Sequence, residues 1–311
     1  MISKMKILNI NTLLDPISGG GAAERTIQMS RYLSNEKGME VSILALNLGL
    51  TASTYKDLKG INIIAIPCIN KRFYLPQIFS KRISASIKQN DVIHLMGHWT
   101  IINLLAYFWI WKYKKPYVVC PAGAMPIFGR SKILKKLYNK LGGATYIKNT
   151  HMGIAITKDE FLNFNEYGVS PKKMILLPNG IEPKSYQFKN DDNVRKKLML
   201  GDSPFLLFVG RLNLIKGPDL LLEAFYKISK VYPDYLLIFA GLDDGMGDRL
   251  KEEVEKLNLS DRVKFLGFIA GSFKSELYHA ADLLVIPSRL EAMSIVVLES
   301  AITGTPVLMT N

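Results

Sequence analysis

A chain of 311 residues has room for two domains of ordinary size, and 48% hydrophobic with 22% charged residues is a globular composition that excludes disorder and fibrous repeats. Two cysteines, Cys68 and Cys120, exclude a disulfide scaffold or a four-cysteine metal site and read as reduced thiols of a cytosolic protein. The net charge of +13 is uneven, with sixteen Lys and Arg against two acids in residues 51–150 but eleven against fifteen in 201–311. Such a one-sided basic field suits an anionic partner (nucleic acid, a phosphate-bearing substrate or a membrane surface), or else serves solubility alone.

The first fifteen residues hold no long apolar core and no small-residue cleavage site, so no secretory signal is expected. Short apolar runs then predict strands at 6–11, 41–46, 61–66, 92–95, 117–120, 153–157 and 174–177. The first runs into Ser18-Gly19-Gly20-Gly21 and a helix predicted over 22–37. The run 92–111 is long enough to span a bilayer, but His94, His98, Thr100 and Asn103 interrupt it. It reads instead as a buried strand, a loop and a buried helix ending at Lys115. A second series of strands follows at 205–210, 235–241, 263–267, 283–287 and 306–310, with helices over 218–232 and 291–304.

Nearly continuous apolar strands alternating with helices predict parallel sheets covered on both faces, hence two α/β domains of the doubly wound, Rossmann-like type. The polar stretch 185–204 separates the two series, giving domains 1–184 and 205–311 with a linker between them. The chain stops straight after a strand, so the second domain is expected to be incomplete.

Three segments suit chemistry. Glycines at a strand-to-helix turn either let backbone N–H groups approach a phosphate or sugar, or simply make a turn. Gly19-Gly20-Gly21 does not match the dinucleotide spacing. Gly210-Arg211 closes a strand and Lys216-Gly217 precedes a helix, so the two cations either clamp a diphosphate or are ordinary surface charges. Glu291 and Glu299 lie eight residues apart. On one helix they would stand about 80° apart, too far to share a proton, and they either touch two parts of an extended ligand or are solvated. Asp243-Asp244-Gly245 reads as a turn, and His94, His98, His151 and His279 lack metal-ligand spacing.

These residues resemble a known family. VGRLNLIKGPDLLLEAF and LYHAADLLVIPSRLEAMSIVVLESAITGTPVLMTN look like the nucleotide-sugar half of the retaining GT-B glycosyltransferases of family 4, whose hallmark is Glu, seven residues, Glu. SGGGAAERT, DVIHLMGHW and ILLPNGIEP agree in order. The resemblance implies two Rossmann-like domains facing across a cleft that transfer a sugar, with retention, from a nucleoside-diphosphate sugar to a saccharide or lipid-linked saccharide, in cell-surface polysaccharide synthesis. Arg211 and Lys216 would bind the donor diphosphate, Glu299 the ribose and Glu291, counted as catalytic, the transferred sugar. Backbone groups of Met293, Ser294 and Ile295 would add to the phosphate cradle. Gly19, Gly20 and Gly21 would face the cleft from the acceptor side, with Gly20 counted also as donor-binding. No metal and no other cofactor is expected. Met96 stands where the family often has a histidine, leaving His98 as the preferred catalytic stand-in, and Ala292 and Ser294 stand where glycines tend to be.

The stretch 130–141 interleaves Lys132, Lys135, Lys136 and Lys140 with Ile133, Leu134, Leu137 and Leu141, a basic amphipathic helix suited to an anionic leaflet or to cover over a core. Lys71, Arg72, Lys81 and Arg82 lie beside Phe73, Tyr74, Ile78 and Phe79. The protein is therefore expected in the cytoplasm, peripheral on the inner face of the membrane. Competing readings are an inactive, binding-only relative and an NAD-dependent dehydrogenase, the latter opposed by the missing glycine fingerprint. Nucleic-acid binding is not expected, because the charge is mostly Lys beside α/β elements.

Overall fold

The computed structural model describes residues 4–78, 80–127, 131–187 and 192–310. Phe79 and Arg130, which flank the basic segments, lie outside the described residues. The chain forms two compact units, Met1–Asn179 and Gly180–Asn311.

The first unit carries β1 (Met5–Ile10), β2 (Met39–Leu46) and β3 (Asn62–Ile66), then a short antiparallel pair, β4 (Cys68–Asn70) and β5 (Leu75–Pro76). It continues with β6 (Val92–Met96), β7 (Tyr117–Cys120), β8 (Met152–Ala155) and β9 (Met174–Leu176). Apart from the short pair, these strands form one parallel sheet in the order β3-β2-β1-β6-β7-β8-β9. The second unit holds β10 (Phe205–Val209), β11 (Leu236–Ala240), β12 (Val263–Gly267), β13 (Leu283–Ile286) and β14 (Val307–Met309), parallel in the order β12-β11-β10-β13-β14. Every strand expected from the sequence is present, with its bounds moved by two residues at most.

Both faces of each sheet are covered at its central strands, which is why these read as unbroken apolar runs, while the edge strands β9 and β14 are largely exposed. In β10, Leu206 and Phe208 join Leu222 and Phe225 in one core, while Phe205 and Leu207 join Leu277 and Leu284 in another. In β2, Ile43 and Ala45 face one core and Leu44 and Leu46 the other. Each sheet reverses its winding once, at β1 between β2 and β6 and at β10 between β11 and β13. Ligand crevices in such sheets open beyond the carboxyl ends of the strands at that reversal. Arg211 follows the carboxyl end of β10, and His98 that of β6.

Local structure departs from expectation in four places. The three glycines do not sit in a turn, because helical residues already begin at Pro16 and run to Asn35. Asp15 starts them, accepting from the backbone N–H of Ile17 at 3.0 Å and of Ser18 at 3.2 Å, with Pro16 pre-set for the first position. The helix breaks only at Gly20, whose φ of 56° and ψ of −144° suit glycine alone.

The helix expected over 291–304 is Ile295–Ile302, capped by an extended Ser294, so Glu291 lies in the preceding loop and the helical-wheel angle to Glu299 does not apply. The run 92–111 does divide into β6, a loop and the helix Ile101–Tyr113, yet that helix is not wholly buried, since Trp111 is 70% exposed. Among the described residues no helix is long and apolar enough to cross a membrane. Within 185–204, the helix Asp192–Leu198 brings Val194 and then Leu200 into the core of the second unit.

Candidate active site

In the second unit, two glycines bring loops together at the carboxyl ends of the strands. A Cβ on Gly241 would stand 1.8 Å from the Gly210 carbonyl oxygen, and one on Gly217 would stand 2.1 Å from that of Pro287. No side chain fits at either place, so backbone packs on backbone and both cation-bearing loops are fixed. Lys216 anchors its own loop by donating its N–H to Asn213 Oδ1 at 3.0 Å, and its Nζ meets Glu291 Oε2 at 2.5 Å. The hydroxyl of Ser288 donates to the same oxygen at 3.4 Å.

Arg211 turns elsewhere. Its Nη1 donates to Asp244 Oδ2 at 3.1 Å, an oxygen that also accepts from Asn213 Nδ2 at 2.8 Å. The Arg211 side chain is 52% exposed, so this pair is screened and worth little. Asp243 makes the expected turn, accepting from the N–H groups of Gly245, Met246 and Gly247 at the start of the helix Gly247–Lys256.

Glu299 lies in the helix Ile295–Ile302 and is 3% exposed. Its Oε1 accepts from the Tyr186 hydroxyl at 2.6 Å and from Lys274 Nζ at 2.7 Å. Its Oε2 accepts from the Tyr278 hydroxyl at 2.7 Å and stands 2.6 Å from the same Nζ. Burial and the neighbouring carboxylate hold the Tyr278 phenol well above its ordinary value, so it remains a donor. The two glutamates thus occupy unlike settings. Glu291 is in a loop with one cation, and Glu299 is in the core with four contacts from three donors. Ser294 caps the helix without a side-chain hydrogen bond, so the hydroxyl does not occupy the helix N–H groups.

In the first unit, the carboxyl ends of β6 and β7 carry unusual backbone. Gly97, Trp99, Ala122 and Gly123 all have positive φ, of 76°, 43°, 52° and 82°. His98 sits among them and is 2% exposed. Its Nδ1 lies 2.6 Å from the Tyr146 hydroxyl, and its Nε2 lies 3.1 Å from Asn139 Oδ1. Trp99, Tyr138, Tyr146 and Tyr167 surround the ring.

Burial lowers the His98 pKa to about 4, with the Asn139 hydrogen bond opposing the shift and Lys135 adding to it. The ring is therefore neutral near pH 7, and its partners assign the proton to Nε2, which donates to Asn139 while Nδ1 accepts from Tyr146. The candidate catalytic histidine is thus an interior residue with both nitrogens engaged. His94 is buried as well, its Nδ1 3.2 Å from Asn9 Oδ1, and burial followed by the Arg25 charge lowers its pKa to about 3. Among the described residues no group of three or more His, Cys, Asp and Glu is placed to hold a metal ion.

Residues 19–185 match Glycosyltransferase Family 4, and residues 190–311 match Glycosyl transferases group 1. The chain belongs to glycosyltransferase family 4. It is 27% identical over 328 aligned positions to an uncharacterized glycosyltransferase of Methanocaldococcus jannaschii, covering 99% of this chain and 80% of that one. It is 25% identical over 248 positions to the D-inositol 3-phosphate glycosyltransferase of Geodermatophilus obscurus, covering 72% of this chain and about half, 54%, of that protein. Among solved structures, HepE of Anabaena in complex with UDP-glucose superposes with a TM-score of 0.78 at 19% identity, over 98% of this chain and 80% of that one. That likeness identifies the GT-B fold class.

In this family 4 chain, three residues that sequence reasoning passed over hold the framework of the candidate site. Lys274, in the helix Gly271–Ala280, neutralises Glu299, and no local sequence signal marks it. Arg25, inside the AAERT run, donates to the carbonyls of Leu177 and Pro178 and to Asn179 Oδ1. It thereby ties two of the sequence signatures together. Glu160, at the start of the helix Asp159–Glu166, accepts from the N–H groups of Gly123 at 2.5 Å and Ile156 at 2.7 Å. Burial pushes its pKa up against those two bonds and Arg25.

Proposed function

We propose that this chain transfers a glycosyl group from a nucleoside-diphosphate sugar to a saccharide or lipid-linked saccharide, with retention at the anomeric carbon. The acceptor oxygen replaces the diphosphate at that carbon, and the nucleoside diphosphate departs. The observation that carries the reading is the Lys216–Glu291 contact at 2.5 Å, in the loop that leads into the helix Ile295–Ile302. It joins a cation for the leaving phosphate to a carboxylate for sugar hydroxyls at the strand ends where this sheet type binds ligands.

Lys216, Arg211 and the backbone N–H groups of Met293 to Ile295 receive the diphosphate, so positive charge from the protein serves the leaving group. The exposed pair with Asp244 gives way readily to a ligand of higher charge. Glu291 orients the transferred sugar. Glu299 meets the ribose hydroxyls by exchanging one of its donors, of which Tyr186 and Lys274 are part-exposed and Tyr278 is buried. In the first domain, Gly19, Gly20 and Gly21 line the acceptor side, with nothing within 4 Å of where a Cβ on Gly20 would stand. His98 acts from behind, holding Asn139 and Tyr146 in place. The UDP-glucose carried by HepE supports a nucleoside-diphosphate donor.

Thermal shifts with UDP, GDP, ADP and NAD test the reading. One nucleoside diphosphate raises the melting temperature of the wild type and fails to do so in Lys216→Ala, and NMR of the product shows the anomeric configuration of the donor. Stabilisation by NAD alone would overturn it.

We also propose that the first domain docks peripherally on an anionic leaflet, at the cytoplasmic face, where lipid-linked acceptors are elongated. The helix Lys132–Tyr138 supports this. Its Ile133 is 82% exposed, and Leu134, Leu137 and Leu141 are exposed alongside Lys132, Lys136 and Lys140. A helix serving only as cover over a core would bury these leucines. Flotation with phosphatidylglycerol vesicles should recover the protein at low salt and lose most of it in Ile133→Glu/Leu137→Glu; equal recovery with neutral vesicles would sink the docking reading.

A further inference from the structure

The Lys216–Glu291 contact joins residues 75 positions apart on two loops, and something must hold those loops in register. Arg289 does so from three directions. Its guanidinium grips the Asp219 carboxylate with both prongs, Nη1 to Oδ1 at 2.8 Å and Nη2 to Oδ2 at 2.7 Å. Nη1 also donates to the Leu214 carbonyl at 2.8 Å, and the Arg289 backbone N–H donates to the Ile215 carbonyl at 2.7 Å. Asp219 is in the first turn of the helix Pro218–Ser229, which begins straight after Lys216-Gly217. The fork therefore ties Leu214, Ile215 and Asp219, on both sides of Lys216, to the residue two positions before Glu291. A bidentate arginine–carboxylate fork fixes distance and plane together, which a lysine or a single hydrogen bond does not.

We propose that Arg289 and Asp219 are positioning residues that set the Lys216–Glu291 geometry, without either touching the donor. The role rests on the transferase reading of that contact, and it makes the fork an element of catalytic precision beyond its share in stability. A displacement of about 1 Å in a charged group facing a leaving phosphate costs on the order of a hundredfold in rate. The Gly217–Pro287 packing and the two carbonyl bonds bring the loops together, and the fork adds a fixed side-chain plane beside Lys216.

Two measurements test this. Turnover of the donor is compared in wild type, Lys216→Ala, Arg289→Ala, Arg289→Lys and Lys216→Ala/Arg289→Ala. Arg289→Ala is expected to lower kcat by roughly ten- to a hundredfold with a smaller change in KM, and Arg289→Lys to recover only part of it. Once Lys216 is gone, removing Arg289 should cost less than about threefold more, because it acts through Lys216. Losses that multiply independently, or an Arg289→Ala enzyme as fast as wild type, overturn the proposal. The isosteric Asp219→Asn variant guards against simple misfolding. Amide exchange at the Arg289 N–H should accelerate in it at least roughly tenfold by local opening, whether or not any sugar is transferred, and unchanged exchange also overturns the proposal. An unimpaired Lys216→Ala enzyme, with exchange behaving as expected, removes the leaving-group role read into the Lys216–Glu291 contact and leaves the loop clamp standing.

Discussion

Replacing Lys274 by Met is expected to destabilise the second domain by about 3–5 kcal/mol, the cost of stripping the cation from a buried ion pair. Glu299 keeps only the Tyr186 and Tyr278 hydroxyls, at 2.6 and 2.7 Å, and two neutral donors do not balance a full charge that is 3% exposed. Met keeps an unbranched apolar stem one atom shorter than that of Lys, so the loss is mainly electrostatic rather than a packing defect. Glu299→Gln in the same background should recover most of it, since a neutral amide oxygen still accepts from a tyrosine and no charge is left uncompensated. The loss appears in urea denaturation as a lower midpoint at constant m-value. A single-variant loss under about 1 kcal/mol, or a double variant no better than the single, would show that the pair is effectively solvated.

That cluster also marks the limit of what the sequence reveals. The sheets were legible because a strand buried on both faces writes itself as an apolar run. Leu206 and Phe208 pack on one side and Phe205 and Leu207 on the other, and no polar residue interrupts them. Lys216 and Glu291 were legible as ligand candidates through spacing and resemblance, and the structure brings them together. Their separate surroundings were not. Nothing local in GSFKSELYHA says that Lys274 crosses to Glu299, because the partner is 25 residues away and the contact depends on how two helices pack.

His98 illustrates the same point in the first domain. A histidine past the end of a strand is a fair candidate catalyst from sequence. Its environment comes from Asn139, Tyr146 and Tyr167, which are distant in the chain and fill both ring nitrogens. The glycine run misled for a local reason. Asp15-Pro16 is itself a helix-start signal, and it outranked three glycines, of which only Gly20 needs its conformational freedom.

Lys216→Ala should lower kcat/KM for sugar transfer by roughly a hundred- to a thousandfold, the range seen when one preorganised donor is removed from a developing charge. Most of the loss should fall on kcat, because the charge on the leaving phosphate grows towards the transition state while ground-state binding is shared with Arg211 and the helix N-terminus. Arg211→Ala should cost less, since a side chain 52% exposed and engaged by Asp244 acts through water, whereas the Lys216 side chain is 30% exposed and held against Glu291. Stability should barely change in either variant, by no more than about 1 kcal/mol, because neither pair is fully desolvated. Glu291→Gln keeps the shape of its side chain and the ability to accept from Lys216 but loses the charge, so it separates orientation of the sugar from electrostatic pairing. Its kcat should fall less than that of Lys216→Ala, and combining the two should not multiply the losses, since the groups touch. Progress curves with the donor identified by thermal shift give all four rate constants. A Lys216→Ala enzyme within about threefold of wild type would show that leaving-group charge is met elsewhere, and fully multiplicative losses would show that Lys216 and Glu291 work on separate steps.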